Sequence, residues 1–138
     1  MATTTAAVTL TSDLLSDTMS LSTDTTCMKA GSAADGLDQM DMGYIEVATG
    51  DQYDLVNAST LGVGKANKVY ICNESTDETY YVDIRINAMA IGKLYAGDWM
   101  FLPWSAIDTD ADIMVTSQTG TNKLTYIVFH EGRTLIAS

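Results

Sequence analysis

The chain has 138 residues and a mass of 14.8 kDa, is 46% apolar and 18% charged, and carries a formal charge of -11. A chain of this size buries roughly 68% of its unfolded surface in one domain, or in a small domain plus an arm, which excludes a two-domain enzyme. Lys and Arg number 7 against 18 Asp and Glu, so there is no basic excess to replace phosphate counterions, and neither nucleic acid nor an anionic membrane is expected as a partner.

The charge is unevenly placed. Residues 1–64 hold one cation, Lys29, against nine acids, whereas residues 65–138 hold six cations against nine acids. The first 26 residues contain nine Thr and four Ser, with apolar side chains only at scattered positions: Val8, Leu10, Leu14, Leu15, Met19 and Leu21. Thr is branched at Cβ and favours strands over helix interiors, and a segment this poor in apolar groups has no core of its own. The expectation is an extended arm that becomes ordered by pairing with a partner, with those six apolar residues as its contacts.

The start lacks the basic n-region and apolar h-region of a signal peptide, and no apolar run approaches the ~20 residues that span a bilayer. Synthesis in a cytoplasm is expected. Cys27 and Cys72 are too few for a disulfide framework and have no CxxC spacing, so both are read as free thiols. Ala30 to Gly36 is small and flexible and reads as a linker. The arm and linker are therefore placed at 1–42 and the body at 43–138.

In the body a period of two recurs. Gly43–Thr49 reads as a strand closed by a turn at Gly50-Asp51. Asn67–Asn73 sets Val69 and Ile71 against Tyr70 and Cys72, and a short polar connection, Glu74 to Glu78, leads to Thr79–Asn87. There Tyr80, Val82, Ile84 and Ile86 oppose Thr79, Tyr81, Asp83 and Arg85, one face core and one wet. Asp98–Trp104, Asp112–Gln118 and Lys123–His130 follow, with a turn at Ser117–Asn122 that uses Gly120, and then a terminal strand over Arg133–Ala137. Lys123–His130 is apolar on both sides, with Leu124, Tyr126 and Val128 against Ile127 and Phe129, and reads as a central strand covered on both faces. No stretch shows a helical period, so the fold is expected to be all-β, a sandwich with short strands.

Motifs that would carry chemistry fail in detail. Gly62 to Ala66 suggests a phosphate loop, but Ser59 stands where its first Gly belongs and Ala66 where Ser or Thr would hold magnesium. Asp108, Asp110 and Asp112 alternate as in a calcium loop, yet Ile113 and Thr119 replace the required Gly and Glu, so no metal and no cofactor are expected. Gly97 and Pro103 match the spacing of the second cupin motif, whereas Ser105, Asp108 and Asp112 stand where it continues with Gly, a metal-binding His and Asn. His130 is the only histidine and ends an apolar strand, which reads as a packed imidazole. The protein is not expected to be an enzyme. The aromatic group Tyr95, Trp99, Phe101 and Trp104 reads as core or as an anchor patch. Tyr95, Trp99 and Trp104 are the candidate interface aromatics, and alternation places Trp99 and Phe101 on one face and Trp104 on the other.

A Thr-rich acidic arm, no catalytic set and a β body carrying Tyr95 to Trp104 and Leu124 to Phe129 resembles the small virion proteins of tailed bacteriophages, in particular capsid decoration (cement) proteins. The resemblance implies a β-sandwich or jelly-roll body, homo-oligomeric and commonly trimeric, on the outside of the head, bound to the major capsid protein and bridging coat subunits with the arm. Two other readings remain at this stage. One is a tail or neck component of a virion, and the other is a carbohydrate-binding sandwich that uses Trp99, Trp104 or Tyr81 as stacking platforms.

Overall fold

A computed structural model describes residues 4–13, 19–29, 31–32, 36–37, 39–57, 65–104 and 112–131. Among these there is no helix, and ten strands form three antiparallel sheets, so the chain is all-β with a sandwich body. Strands β1 (Thr4–Ser12) and β2 (Met19–Cys27) form a two-stranded ribbon. The body contains β3 (Gln39–Val47), β4 (Gln52–Val56), β5 (Asn67–Asn73), β6 (Tyr81–Ile86), β7 (Met89–Tyr95), β8 (Trp99–Trp104), β9 (Ile113–Thr119) and β10 (Asn122–His130). One sheet has the order β3-β10-β5-β8 and the other β4-β9-β6-β7. Every link from one body strand to the next changes sheet, except the tight hairpin β6-β7.

Alternation explains the core. Val69 and Ile71 of β5, Val82 and Ile84 of β6, Ile113 and Val115 of β9, and Leu124 and Val128 of β10 point inward and are buried. Val47, Leu55, Val56, Leu94 and Trp104 join them, so all eight body strands feed one cluster. Each such aliphatic side chain contributes on the order of 1.5–3 kcal/mol when fully removed from water.

One end of this apolar interior is polar. Asn73 donates from Nδ2 to the Leu94 carbonyl at 3.0 Å and to Asn122 Oδ1 at 3.0 Å, while its Oδ1 accepts from the Ser75 amide at 3.1 Å. Asn122 Nδ2 lies at hydrogen-bond distance from the Tyr81 and Thr119 carbonyls and from Ser117 Oγ. Ser117 Oγ in turn donates to the Gly120 carbonyl at 2.7 Å, and Ser75 Oγ accepts from the Lys123 amide at 3.0 Å. Asn73 and Asn122 belong to one sheet, and the carbonyls of Tyr81 and Leu94 to the other. Two buried amides thus tie the two sheets together.

Turns set the strand directions. Gly50, Gly97 and Gly120 take positive φ, but Asn87 and Ala88 do so as well, at 51° and 62°, and form the two-residue turn of the β6-β7 hairpin. That geometry suits Asn-Gly, so Ala88 holds a left-handed conformation that its Cβ disfavours.

Three expectations change. The proposed boundary at residue 42 falls inside β3, whose pairing with β10 already starts at Gln39 opposite His130. The arm is not a single extended strand awaiting a neighbour. Its two Thr-rich halves pair with each other from Thr4 opposite Cys27 to Ser12 opposite Met19, because adjacent β-formers satisfy each other's backbone groups locally. Strands β4 and β7 were not expected. The terminal strand proposed at 133–137 lies outside the described residues.

Replacing Asn122 with Ala leaves the Asn73 amide and Ser117 hydroxyl short of a buried partner, and should lower unfolding free energy in urea titrations by about 2–4 kcal/mol. Ala88→Gly should raise it by about 0.5–1 kcal/mol through relief of the left-handed Ala.

Candidate functional site: an aromatic sheet face beneath a hairpin

The inward alternation of the β3-β10-β5-β8 sheet fixes what its other face carries. Strand register lines up Met42, Ile127, Tyr70 and Phe101 across all four strands. The next row is Tyr44, Thr125, Cys72 and Trp99, and the row on the other side is Met40, Phe129, Lys68 and Pro103. An outer sheet face is normally polar, and this one is mostly apolar and aromatic.

The ribbon covers part of it. Thr4, Ala6 and Val8 are half-buried while Thr5 and Ala7 are exposed, so the even-numbered side of β1 faces the sheet. The base of the ribbon is anchored: the Leu37 amide donates to the Cys27 carbonyl at 2.7 Å, Thr4 Oγ1 donates to the Leu37 carbonyl at 3.0 Å, and Leu37 and Cys27 are buried there. Between residues 4–8 and the rings of Tyr70, Trp99 and Phe101 with Ile127 and Phe129 runs an open groove of about 380 Å³. The same side of the ribbon continues outward to Leu10, which stands opposite Leu21, and these two are 49% and 54% exposed. Across the sheet from the groove, Met40, Met42 and Tyr44 on β3 are more than half exposed.

The Tyr70 and Trp99 rings lie 6.3 Å apart. A hydrogen bond with the Cys72 side chain, then burial and the charge of Glu74, holds the Tyr70 hydroxyl above its ordinary pKa of 10.0, so it remains neutral near pH 7. Desolvation and then the Glu46 carboxylate, which accepts its hydrogen bond at 3.1 Å, raise Tyr44 in the same direction. The face thus presents neutral phenols, aliphatic side chains and one half-exposed indole.

The sequence candidates divide clearly. Trp99 is 50% exposed and sits on this face with Phe101. Trp104 is 4% exposed and packs in the core, which corrects its assignment as an interface aromatic and removes it as a stacking platform. Its position, an odd number of residues from Trp99 and Phe101, turns it inward. Tyr95 is exposed but belongs to the other sheet, where its ring stands 5.0 Å from that of Tyr81, with Lys93 Nζ 4.9 Å from the Tyr81 centroid. Of the arm residues, Val8 faces the sheet, Leu10 and Leu21 form the exposed pair, and Met19 pairs with Ser12; Leu14 and Leu15 lie outside the described residues. Met40, Met42 and Tyr44 are not among the sequence candidates: the boundary at residue 42 leaves Met40 and Met42 on the arm side, so the period-two exposed row of β3 is split.

Other chemistry-bearing residues are placed as follows. His130 is buried at the end of β10, with Nε2 3.2 Å from Asp41 Oδ2. Lys65, which follows the glycines resembling a phosphate loop, pairs with Glu131 at 3.4 Å. The aspartates at 108 and 110 lie outside the described residues, and among those described no group of His, Cys, Asp or Glu is arranged to hold a metal ion. No described helix is long and apolar enough to cross a membrane. Comparison of the chain with protein-family models, with curated proteins and with solved structures yields no match.

Collisional quenching should resolve the two tryptophans, with one indole accessible and one protected. Trp99→Phe should remove the accessible component, leaving emission that resists quencher, whereas Trp104→Phe should leave the quenchable component in place.

Proposed function

We propose that the protein is a structural assembly module of the capsid-decoration kind, which attaches to the outer surface of a phage head and bridges coat subunits. The observation that carries this reading is the apolar outer face of the β3-β10-β5-β8 sheet, continued outward by the exposed Leu10-Leu21 pair on the ribbon. Such a surface costs solubility unless a partner covers it, and aromatic and Met side chains are the types that supply binding energy at protein interfaces.

The winding of the body supports the same reading. Eight strands in the orders 3-10-5-8 and 4-9-6-7, linked by sheet-changing connections with one hairpin, fit a jelly roll, an architecture common among viral capsid proteins. The charge of -11 matches a partner surface with a basic rim. Repetition of one modest contact over a closed shell multiplies its effect without any catalytic group.

Imaging of the parent virion tests the proposal. Density for the body is expected on the outside of the head where coat subunits meet, and density confined to tail or neck, or absent from the particle, would overturn it. Leu10→Ser with Leu21→Ser should reduce occupancy about tenfold while leaving the circular dichroism spectrum of the body unchanged. Raised salt should weaken attachment.

A further inference from the structure

Among the described residues the two body sheets end in four edge strands, β3 and β8 in one and β4 and β7 in the other. An edge strand presents unpaired backbone amides and carbonyls, and proteins that avoid edge-to-edge pairing blunt such strands with Pro, bulges, cations or short length. Three of these edges are blunted. Strand β8 carries Pro103, β4 has five residues with a register break between Asp54 and Val56, and β7 has Lys93 and skips Ile91 in its pairing with β6. Strand β3 differs from all three. It runs nine residues in unbroken register with β10, contains neither Pro nor a cation, and exposes Met40, Met42 and Tyr44.

We propose that β3 is a homotypic docking edge, pairing antiparallel with β3 of a second copy to make one continuous eight-stranded sheet. The strand is self-complementary. Pairing that keeps all nine residues in register centres on Gly43, so that Met42 stands opposite Tyr44 of the second copy, and Tyr44 opposite its Met42. In this register Asp41 faces Ile45 and Glu46 faces Met40, so no acid meets an acid directly.

The two acids of β3 do not stand in the way of a second copy. Both acids of β3 are engaged within their own chain, Asp41 beside His130 at 3.2 Å and Glu46 accepting from the Tyr44 hydroxyl at 3.1 Å. What the edge has left to offer is backbone hydrogen bonding and apolar surface, and an identical strand supplies both. The inference shares Met40, Met42 and Tyr44 with the sheet face of the capsid reading but uses neither the groove nor the Leu10-Leu21 pair, so a monomer in solution overturns it without touching head attachment.

Sedimentation equilibrium on the full chain tests it. The expected result is a species of twice 14.8 kDa. Added salt should tighten it, since it screens the repulsion between two chains each carrying -11. Met42→Lys with Tyr44→Lys, at outward-facing exposed positions that leave the core untouched, should weaken the dimer at least about tenfold with an unchanged circular dichroism spectrum. Under oxidation, a mixture of the single variants Met42→Cys and Tyr44→Cys should give a crosslinked dimer that neither gives alone. A monomer at every salt concentration, a trimer, a dimer indifferent to the two lysines, or a crosslink formed by Met42→Cys alone would each overturn the proposal.

Discussion

Much of this structure follows from one constraint: β10 is apolar on both of its faces. Leu124 and Val128 can be satisfied by the opposing sheet, and their side of the strand builds the core. Ile127 and Phe129 then point away from that core and need a second cover. A two-layer sandwich provides only one, so a third layer has to come from elsewhere. The β1-β2 ribbon is that layer, held at its base through Cys27 and Leu37 and laid over Ile127, Phe129, Tyr70 and Phe101. A narrow ribbon cannot cover four strands. What it leaves bare, Trp99 on one side and Met40, Met42 and Tyr44 on the other, is the surface on which the functional readings rest.

The interior is bounded by polar groups as well as filled by apolar ones. Aliphatic side chains would allow one sheet to slide over the other at modest cost, since dispersion and hydrophobic burial are not directional. The Asn73-Asn122 pair is directional. Each amide reaches a carbonyl of the opposite sheet, so a shift by one residue would leave several buried donors without acceptors. The register of the sandwich is therefore held at the end nearest the turns at Gly97 and Gly120, where the connections are short.

The body was legible in the sequence where alternation is regular. β5, β6, β9 and β10 are plain in the sequence because each alternates without interruption, and the two apolar faces of β10 mark it as a central strand. β4 and β7 escaped for physical reasons. In β4, Leu55 and Val56 are adjacent and both buried, since a bulge turns two consecutive side chains inward and cancels the period. In β7 only Leu94 is buried, and its hairpin turn is spelled Asn-Ala, which hides a geometry usually announced by Asn-Gly. The site was half legible. Alternation separated Trp99 and Phe101 from Trp104, whereas the cover over that face depends on the ribbon folding back across it, and composition alone does not encode where a polar hairpin will lie.

Gly43 illustrates a different kind of dependence. It lies opposite Tyr126, and a side chain added there would meet the Tyr126 ring, so the aromatic ring occupies the volume that residue 43 leaves empty. The two positions share one space between them. In any divergent copy of this protein they are expected to change as a pair, a larger residue at 43 accompanied by a smaller one at 126, and a substitution at either site alone would spread the misfit into β3 and its exposed edge.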